Sequence, residues 1–216
     1  MNVSVVVPAL NEEEPIGTVV REIIATGIPR EVVVVDNEST DRTAEEAKSA
    51  GADVVSAPRG YGRACAAGAA AVSKDCDVIV FLDGDGSDVP ALMPSLLDPI
   101  YNGTHDFVIG SRSRGQREPG SMNFQQVFAG YLAGFLIHLL YGVRALAKLD
   151  MREKTYGWNL EMQMKAARIG LRILEVPVDH RRRAGGASKV SGTLRGTFLA
   201  GFRIVATFLR IALAKS

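Results

Sequence analysis

The chain has 216 residues, enough for one α/β domain with a sizeable core. Hydrophobic residues make up 47% and charged residues 23%, the range of an ordinary globular protein. A formal net charge of +1 excludes a global field for nucleic acid or an acidic partner, and two cysteines eleven positions apart, Cys65 and Cys76, exclude a disulfide framework and a metal-ligand spacing. The opening MNVSVVVPALNEEE has an apolar run too short for a signal peptide and no basic flank. No stretch reaches the roughly 18 uncharged apolar residues of a membrane span. With two idle thiols, these features predict a protein kept in the cytoplasm.

In chain order, β-branched runs at 3–7, 32–36, 53–56 and 78–82 predict buried strands. Segments 13–26, 43–49 and 62–72 predict helices between them. Near-continuous valine and isoleucine runs separated by helices predict a parallel sheet covered on both faces. A further helix is expected over 90–102 and a strand over 107–110. Beyond lie a charged, glycine-containing loop at 111–120, an apolar helix at 123–141, and a helix at 158–168 ended by Gly170. A strand at 173–178 containing Pro177, a small-residue loop at 184–188 and a final helix at 194–215 complete the chain. No internal repeat or linker is visible, so one domain is expected.

In parallel sheets the ligand site lies at the carboxyl ends of the strands. The run Asp83-Gly84-Asp85-Gly86-Ser87-Asp88 follows the strand at 78–82. Carboxylates at i and i+2 of an extended segment point the same way, and such hard oxygen ligands suit Mg²⁺ or Mn²⁺, with a ligand's phosphates completing the shell. A calcium loop of the EF-hand kind fails on count, because its sixth position is Asp88 and its twelfth is Pro94. The strand at 32–36 ends in Val35-Asp36-Asn37, and Asp36 and Asn37 are candidates for hydrogen bonds to a nucleobase or ribose. Asp41 reads as a cap of the next helix. Gly60-x-Gly62 opens a helix whose backbone N–H groups could face an anion, although the spacing is not the dinucleotide fingerprint.

Taken together and in order, P-A-L-N-E-E, V-D-N-E-S-T-D, G-Y-G-R-A, D-G-D-G-S-D and I-G-S-R resemble the glycosyltransferase family 2 pattern. The arrangement is similar to that of the polyprenyl-phosphate (dolichol-phosphate mannose synthase-like) sugar synthases. Gly157-Trp158-Asn159-Leu160-Glu161, Glu175-Val176-Pro177-Val178 and Arg183-x-x-x-x-Ser188-Lys189 extend the likeness over nearly the whole chain.

The resemblance implies a single GT-A domain over 1–216, with a nucleotide-sugar half at 1–110, an acceptor half at 111–190 and an interfacial or oligomer helix at 191–216. It implies a metal-dependent, inverting hexosyltransferase of cell-envelope biosynthesis, peripheral at the cytoplasmic membrane face. Carried over by position, Pro8, Leu10, Glu12, Val35 and Asn37 hold the nucleoside. Asp83, Asp85 and Ser87, with Gly84 at their turn, hold Mg²⁺ or Mn²⁺ and the diphosphate. Arg112 meets the acceptor's phosphate, while Arg183, Ser188 and Lys189 clamp phosphate charge. Its partners are a nucleoside-diphosphate sugar and a polyprenyl phosphate or other acceptor; a homo-oligomer is compatible with the final helix.

The charge logic agrees, because a departing nucleoside diphosphate needs its developing charge neutralised. A phosphate acceptor is already an anion, whereas a hydroxyl would need a base, for which Glu161 or Asp88 is the candidate. The histidines His105, His138 and His180 share no ligand spacing and are read as structural.

The chain departs from the pattern at four places. Asn37 stands for a second Asp, and Leu10 for a frequent aromatic, so the base preference is not carried over. Gln125-Gln126 replaces an Arg. A segment resembling T-D-x-x-x-x-F-R is absent where Arg144 meets Ala145, either deleted or omitted from the sequence; a stretch of about a dozen residues is a plausible size for a functional loop. Two other classes compete with a glycosyltransferase. A sugar nucleotidylyltransferase would want a basic glycine-rich loop where residues 9–13 are acidic, and a non-catalytic nucleotide-sugar binder is compatible with the missing segment.

Overall fold

The computed structural model describes residues 1–112, 114–116, 118, 151–154, 157–185 and 210. The predicted helices at 123–141 and 194–215, the Arg144–Ala145 junction, Ser188 and Lys189 lie outside them; of the last helix only Arg210 is described. The described residues fall into two compact units. One takes in Met1–Met93 with residues 118 and 179–185, the other the remaining described residues from 94 onward.

The first unit is a four-stranded, wholly parallel sheet of β1 (Val3–Ala9), β2 (Glu31–Asp36), β3 (Asp53–Ser56) and β4 (Val78–Phe81), in the order β3-β2-β1-β4. Between successive strands run α1 (Ile16–Ala25), α2 (Thr43–Ser49) and α3 (Tyr61–Ala71). Valines dominate β1 and β2 because both faces are covered. Val6, Val33 and Val35 form one core cluster with Ala57 and Ala64 of the α3 side. The two-residue period of a strand sends Val5, Val7 and Val34 to the other face, where α1 and α2 pack on each other and on β2. All three valines are fully buried. The one polar residue inside β1, Ser4, donates its hydroxyl to Glu31 Oε1 and so is satisfied within the core.

Boundaries moved where proline or a turn intervened. The predicted helix at 13–26 begins only at Ile16, because residues 12–15 form a turn in which Ile16 N donates to Glu12 O and Val19 N to Pro15 O. Proline lacks an N–H and fits the helix entrance. The predicted helix at 90–102 is a 3₁₀ turn, Pro90–Leu92, running into α4 (Met93–Tyr101).

In the second unit β5 (Phe107–Ser111) and β6 (Ile173–Pro177) form their own two-stranded parallel sheet. Among the described residues, neither joins the four-stranded one. Between them in sequence, α5 (Trp158–Arg168) contributes Met162 and Ala166 to a small core with Leu171, Phe107 and Ile173. Gly170, at φ +77°, supplies the left-handed residue that ends this helix. No helix among the described residues is long and apolar enough to cross a membrane.

Candidate active site

Register lines up the strand ends. Ala9 pairs with Asp36, and Asp36 with Ser56, so β1, β2 and β3 terminate in one row. The chain leaving β4 continues alongside β1, with Leu82 N donating to Val6 O at 3.1 Å. Gly84 then lies so close to β1 that a Cβ there would stand 3.2 Å from Pro8 O and 3.4 Å from Ala9 Cβ. The glycine therefore lets the acidic turn lie against the end of β1.

The loops leaving β1 and β2 are laced together. Asn37 N donates to Ala9 O, Asn11 N to Ser39 Oγ at 3.0 Å, Thr40 N to Asn11 Oδ1 at 2.8 Å and Glu12 N to Thr43 Oγ1 at 2.8 Å. Asn11 and Glu38 sit at positive φ, 50° and 62°. Such conformations are costly and are retained where surrounding structure over-determines them, often at functional sites. Asp41 accepts from Thr43 N at 3.0 Å and from Glu13 N at 3.3 Å, so it ties the β1 loop to the start of α2. Burial works against its charge, but the hydrogen bond from the Thr43 hydroxyl together with these backbone bonds more than offsets that and holds its carboxyl below the ordinary value.

Asn37 is buried, and its amide is spent on backbone. Nδ2 donates to Pro58 O at 2.6 Å and Ala57 O at 3.2 Å, while Oδ1 accepts from Gly60 N at 2.9 Å. In this structure Asn37 fixes the β3–α3 loop, and the Gly60 N–H points at Asn37. Gly60 itself, at φ +143°, immediately precedes α3, and Gly62 is buried inside it.

Asp85 is 4% exposed. Its Oδ1 accepts from Ser87 N at 2.9 Å, and its Oδ2 faces Arg183 Nη2, also at 2.9 Å. Arg183 Nη1 stands 3.8 Å from Glu12 Oε1, another buried carboxylate. Asp83 accepts from the Tyr61 hydroxyl at 3.3 Å, and its own N–H donates to Asp88 Oδ2 at 3.0 Å. Asp88 Oδ1 lies 4.0 Å from Nδ1 of the buried His180. Backbone bonds from Arg181 N to Ser87 O and from Ala184 N to Asp85 O lay the 181–184 segment along the turn.

The structure thus brings Glu12, Asp83, Asp85, Ser87 and Arg183 together, with Asp36, Asn37 and Gly60 on the neighbouring strand ends. Pro8 and Val35 stand in β1 and β2 as the backbone of that edge. Arg112 belongs to the second unit. Two participants escaped the sequence reading as site residues. Tyr61 sits between two glycines, a signal that an aromatic was held at a turn, and its hydroxyl reaches Asp83. Arg181 anchors the segment through Glu22, at 3.0 and 3.2 Å. Cys65, one turn after Tyr61, is pushed up to about 12 by burial, so it stays a thiol and offers no nucleophile.

Glu161, a candidate base, has a different occupation. It is 1% exposed and accepts from Arg152 N at 2.8 Å and Glu153 N at 2.5 Å, with Lys165 Nζ at 3.2 Å and Arg210 Nη2 at 3.4 Å. Its carboxylate pins residues 152–153 to α5. Replacing it by alanine leaves two part-buried N–H groups without their acceptor and takes the buried carboxylate away from Lys165 and Arg210, and should cost about 3 kcal/mol. Urea denaturation of Glu161→Ala against Glu161→Gln checks this, with the glutamine variant expected to lose less.

Among the described residues no three His, Cys, Asp or Glu side chains gather as a metal cage. An oxygen-ligated ion held at Asp83 and Asp85 would share its shell with a bound ligand's phosphates, which is the habit of magnesium.

A parallel sheet with an acidic turn at the carboxyl edge and a basic segment laid across it is the frame of the nucleotide-sugar-dependent GT-A fold. The family model for glycosyl transferase family 2 matches residues 4–170, and the chain belongs to that family. An uncharacterised glycosyltransferase of Mycobacterium tuberculosis is 36% identical over 210 residues, covering 92% of this chain and 94% of its own. The undecaprenyl-phosphate mannosyltransferase of Micrococcus luteus is 30% identical over 232 residues, covering 91% and 90%. The crystal structure of glucosyl-3-phosphoglycerate synthase from M. tuberculosis with Mn²⁺, UDP-glucose and phosphoglyceric acid superimposes with a TM-score of 0.70 at 25% identity, covering 100% of this chain and 81% of that one.

Proposed function

We propose that this glycosyltransferase moves a hexosyl group, with inversion, from a nucleoside-diphosphate sugar to a polyprenyl phosphate at a membrane surface, with Mg²⁺ or Mn²⁺ as cofactor. The whole chain, 1–216, acts as one catalytic domain in this reading. The carrying observation on the donor side is the buried Asp85 carboxylate, one oxygen oriented by Ser87 N–H and the other already facing a cation, Arg183. That donor set fits a divalent ion, which when bound neutralises charge developing on the diphosphate.

The chain's own groups supply the rest. Glu12 and the β1–β2 edge bind the nucleoside, and Asp83 and Asp85 orient the diphosphate side. Arg183, with Lys189, meets phosphate charge, and Arg112 meets the acceptor's phosphate. A phosphate oxygen of the acceptor attacks the anomeric carbon, the bond to the diphosphate oxygen breaks, and the nucleoside diphosphate leaves with the electron pair. No proton need be removed from an ionised phosphate. This agrees with a structure in which Glu161 is committed to two backbone N–H groups. The relationship to the Micrococcus luteus enzyme supports the lipid phosphate as acceptor.

A second reading takes a soluble phosphorylated acceptor, as the name of the glucosyl-3-phosphoglycerate synthase indicates for that enzyme. The test offers purified protein a panel of nucleotide sugars with undecaprenyl phosphate, dolichyl phosphate or 3-phosphoglycerate. Sugar transfer to a polyprenyl phosphate, lowered at least ~100-fold by EDTA and restored by Mn²⁺, is expected. Transfer to 3-phosphoglycerate alone would move the assignment to the soluble acceptor, and metal-independent transfer would remove the cofactor.

A further inference from the structure

We propose that Arg183 and the divalent cation compete for Asp85 Oδ2, so that metal binding hands the guanidinium over to the donor's diphosphate. This rests on the metal-dependent reading of the same site. The starting point is the division of Asp85's two oxygens: Oδ1 belongs to Ser87 N–H, and Oδ2 belongs to Arg183 Nη2 at 2.9 Å. The carboxylate is almost wholly out of solvent; Oδ1 is held by a backbone N–H in its own turn, whereas Oδ2 faces a side chain that is 39% exposed, and Oδ2 is the oxygen we assign to the second cation. Two cations at one buried oxygen repel strongly, and the divalent ion carries the larger charge.

The backbone is held on either side of Arg183, while its side chain reaches Asp85 and stands 3.8 Å from Glu12 Oε1. Arg181 N and Ala184 N are bonded to Ser87 O and Asp85 O at 2.9 and 3.0 Å. The Arg181 side chain is tied to Glu22. Gly86, at φ +77°, leaves just enough room for Ala184, whose Cβ a side chain at 86 would meet at 3.1 Å. The strap is therefore fastened on both sides of Arg183. The Arg183 side chain itself is 39% exposed, against 5% for its partner Asp85. Displaced from Oδ2, it remains on the strap within the same site as a donor-rich fork suited to phosphate oxygens.

Linkage then follows. Arg183 weakens metal binding to the empty protein, and it strengthens diphosphate binding once the metal is in, so metal and donor favour one another. An arginine that only braced the strap would have the opposite effect on metal affinity when removed.

Mn²⁺ titration of the nucleotide-free full chain tests this, following free Mn²⁺ by its EPR signal. Arg183→Ala and Arg183→Gln should bind Mn²⁺ about tenfold more tightly than the unaltered protein, the scale of one charge-assisted hydrogen bond. Asp85→Asn should lose Mn²⁺ binding. If both Arg183 variants bind Mn²⁺ equally or more weakly while Asp85→Asn abolishes binding, the competition is overturned and the metal site stands. If Asp85→Asn binds Mn²⁺ like the unaltered protein, the metal assignment itself falls. A misfolded variant would weaken binding, so tightening has no such source. In the unaltered protein, saturating Mg²⁺ should speed exchange of the Arg183 guanidinium protons while the Arg181 and Ala184 amides stay protected; an Arg183 signal indifferent to Mg²⁺ overturns the proposal.

Discussion

Asp85→Asn should lower sugar transfer by about two to three orders of magnitude, with the protein still folded. The substitution keeps the shape and the acceptor for Ser87 N–H, so the turn survives. What is lost is a buried negative charge facing Arg183 and, in the proposed function, the divalent ion. Alanine would be a poorer probe, because it also releases the Ser87 bond and the guanidinium at once. Steady-state kinetics with saturating Mn²⁺ read the loss, and a thermal melt within a few degrees of the unaltered protein shows that the fold is kept. Near-normal transfer by Asp85→Asn would remove this carboxylate from the machinery.

Gly68→Ala should destabilise the protein by about 3 kcal/mol, at the upper end of the usual cost of overpacking. Gly68 lies in the middle of α3 where the helix meets the sheet. A Cβ there would stand 2.9 Å from Val35 Cγ2 and well inside contact distance of Val6 Cγ1. Both valines are fully buried at the centre of the sheet, so neither can step aside. Helix propensity alone would favour alanine by up to ~1 kcal/mol, which makes the sign of the result decisive. A urea midpoint that falls sharply supports close packing of α3 on β1 and β2. A midpoint that rises would mean that the helix stands further from the sheet. Because α3 begins at the Gly60 loop and carries Tyr61, the same variant should also weaken donor binding.

The parallel frame was legible in the chain itself. Valine runs at β1 and β2 and the intervening helical segments reflect short-range periods, and a strand covered on both faces has no alternation to obscure. The carboxylate turn was legible for a related reason, since polar residues directly after a buried strand must emerge at the sheet's carboxyl edge. The family pattern added roles to those positions, and the match over residues 4–170 bears out the family.

Other features depended on closures between distant segments, which leave no local period. Asn37 reads as a ligand for a base, but in the fold its amide meets the carbonyls of Ala57 and Pro58 and the Gly60 N–H. Glu161 reads as an available carboxylate, yet α5 buries it against the N–H groups of residues 152 and 153. The strands β5 and β6, predicted separately, find each other. Above all, the presence of an acidic turn and a basic cluster can be read from the chain, because residue type and local spacing are written in it. That Arg183 lies on Asp85, with Tyr61 on Asp83, emerges in the folded protein alone, because a contact between segments distant in sequence depends on how the intervening chain packs.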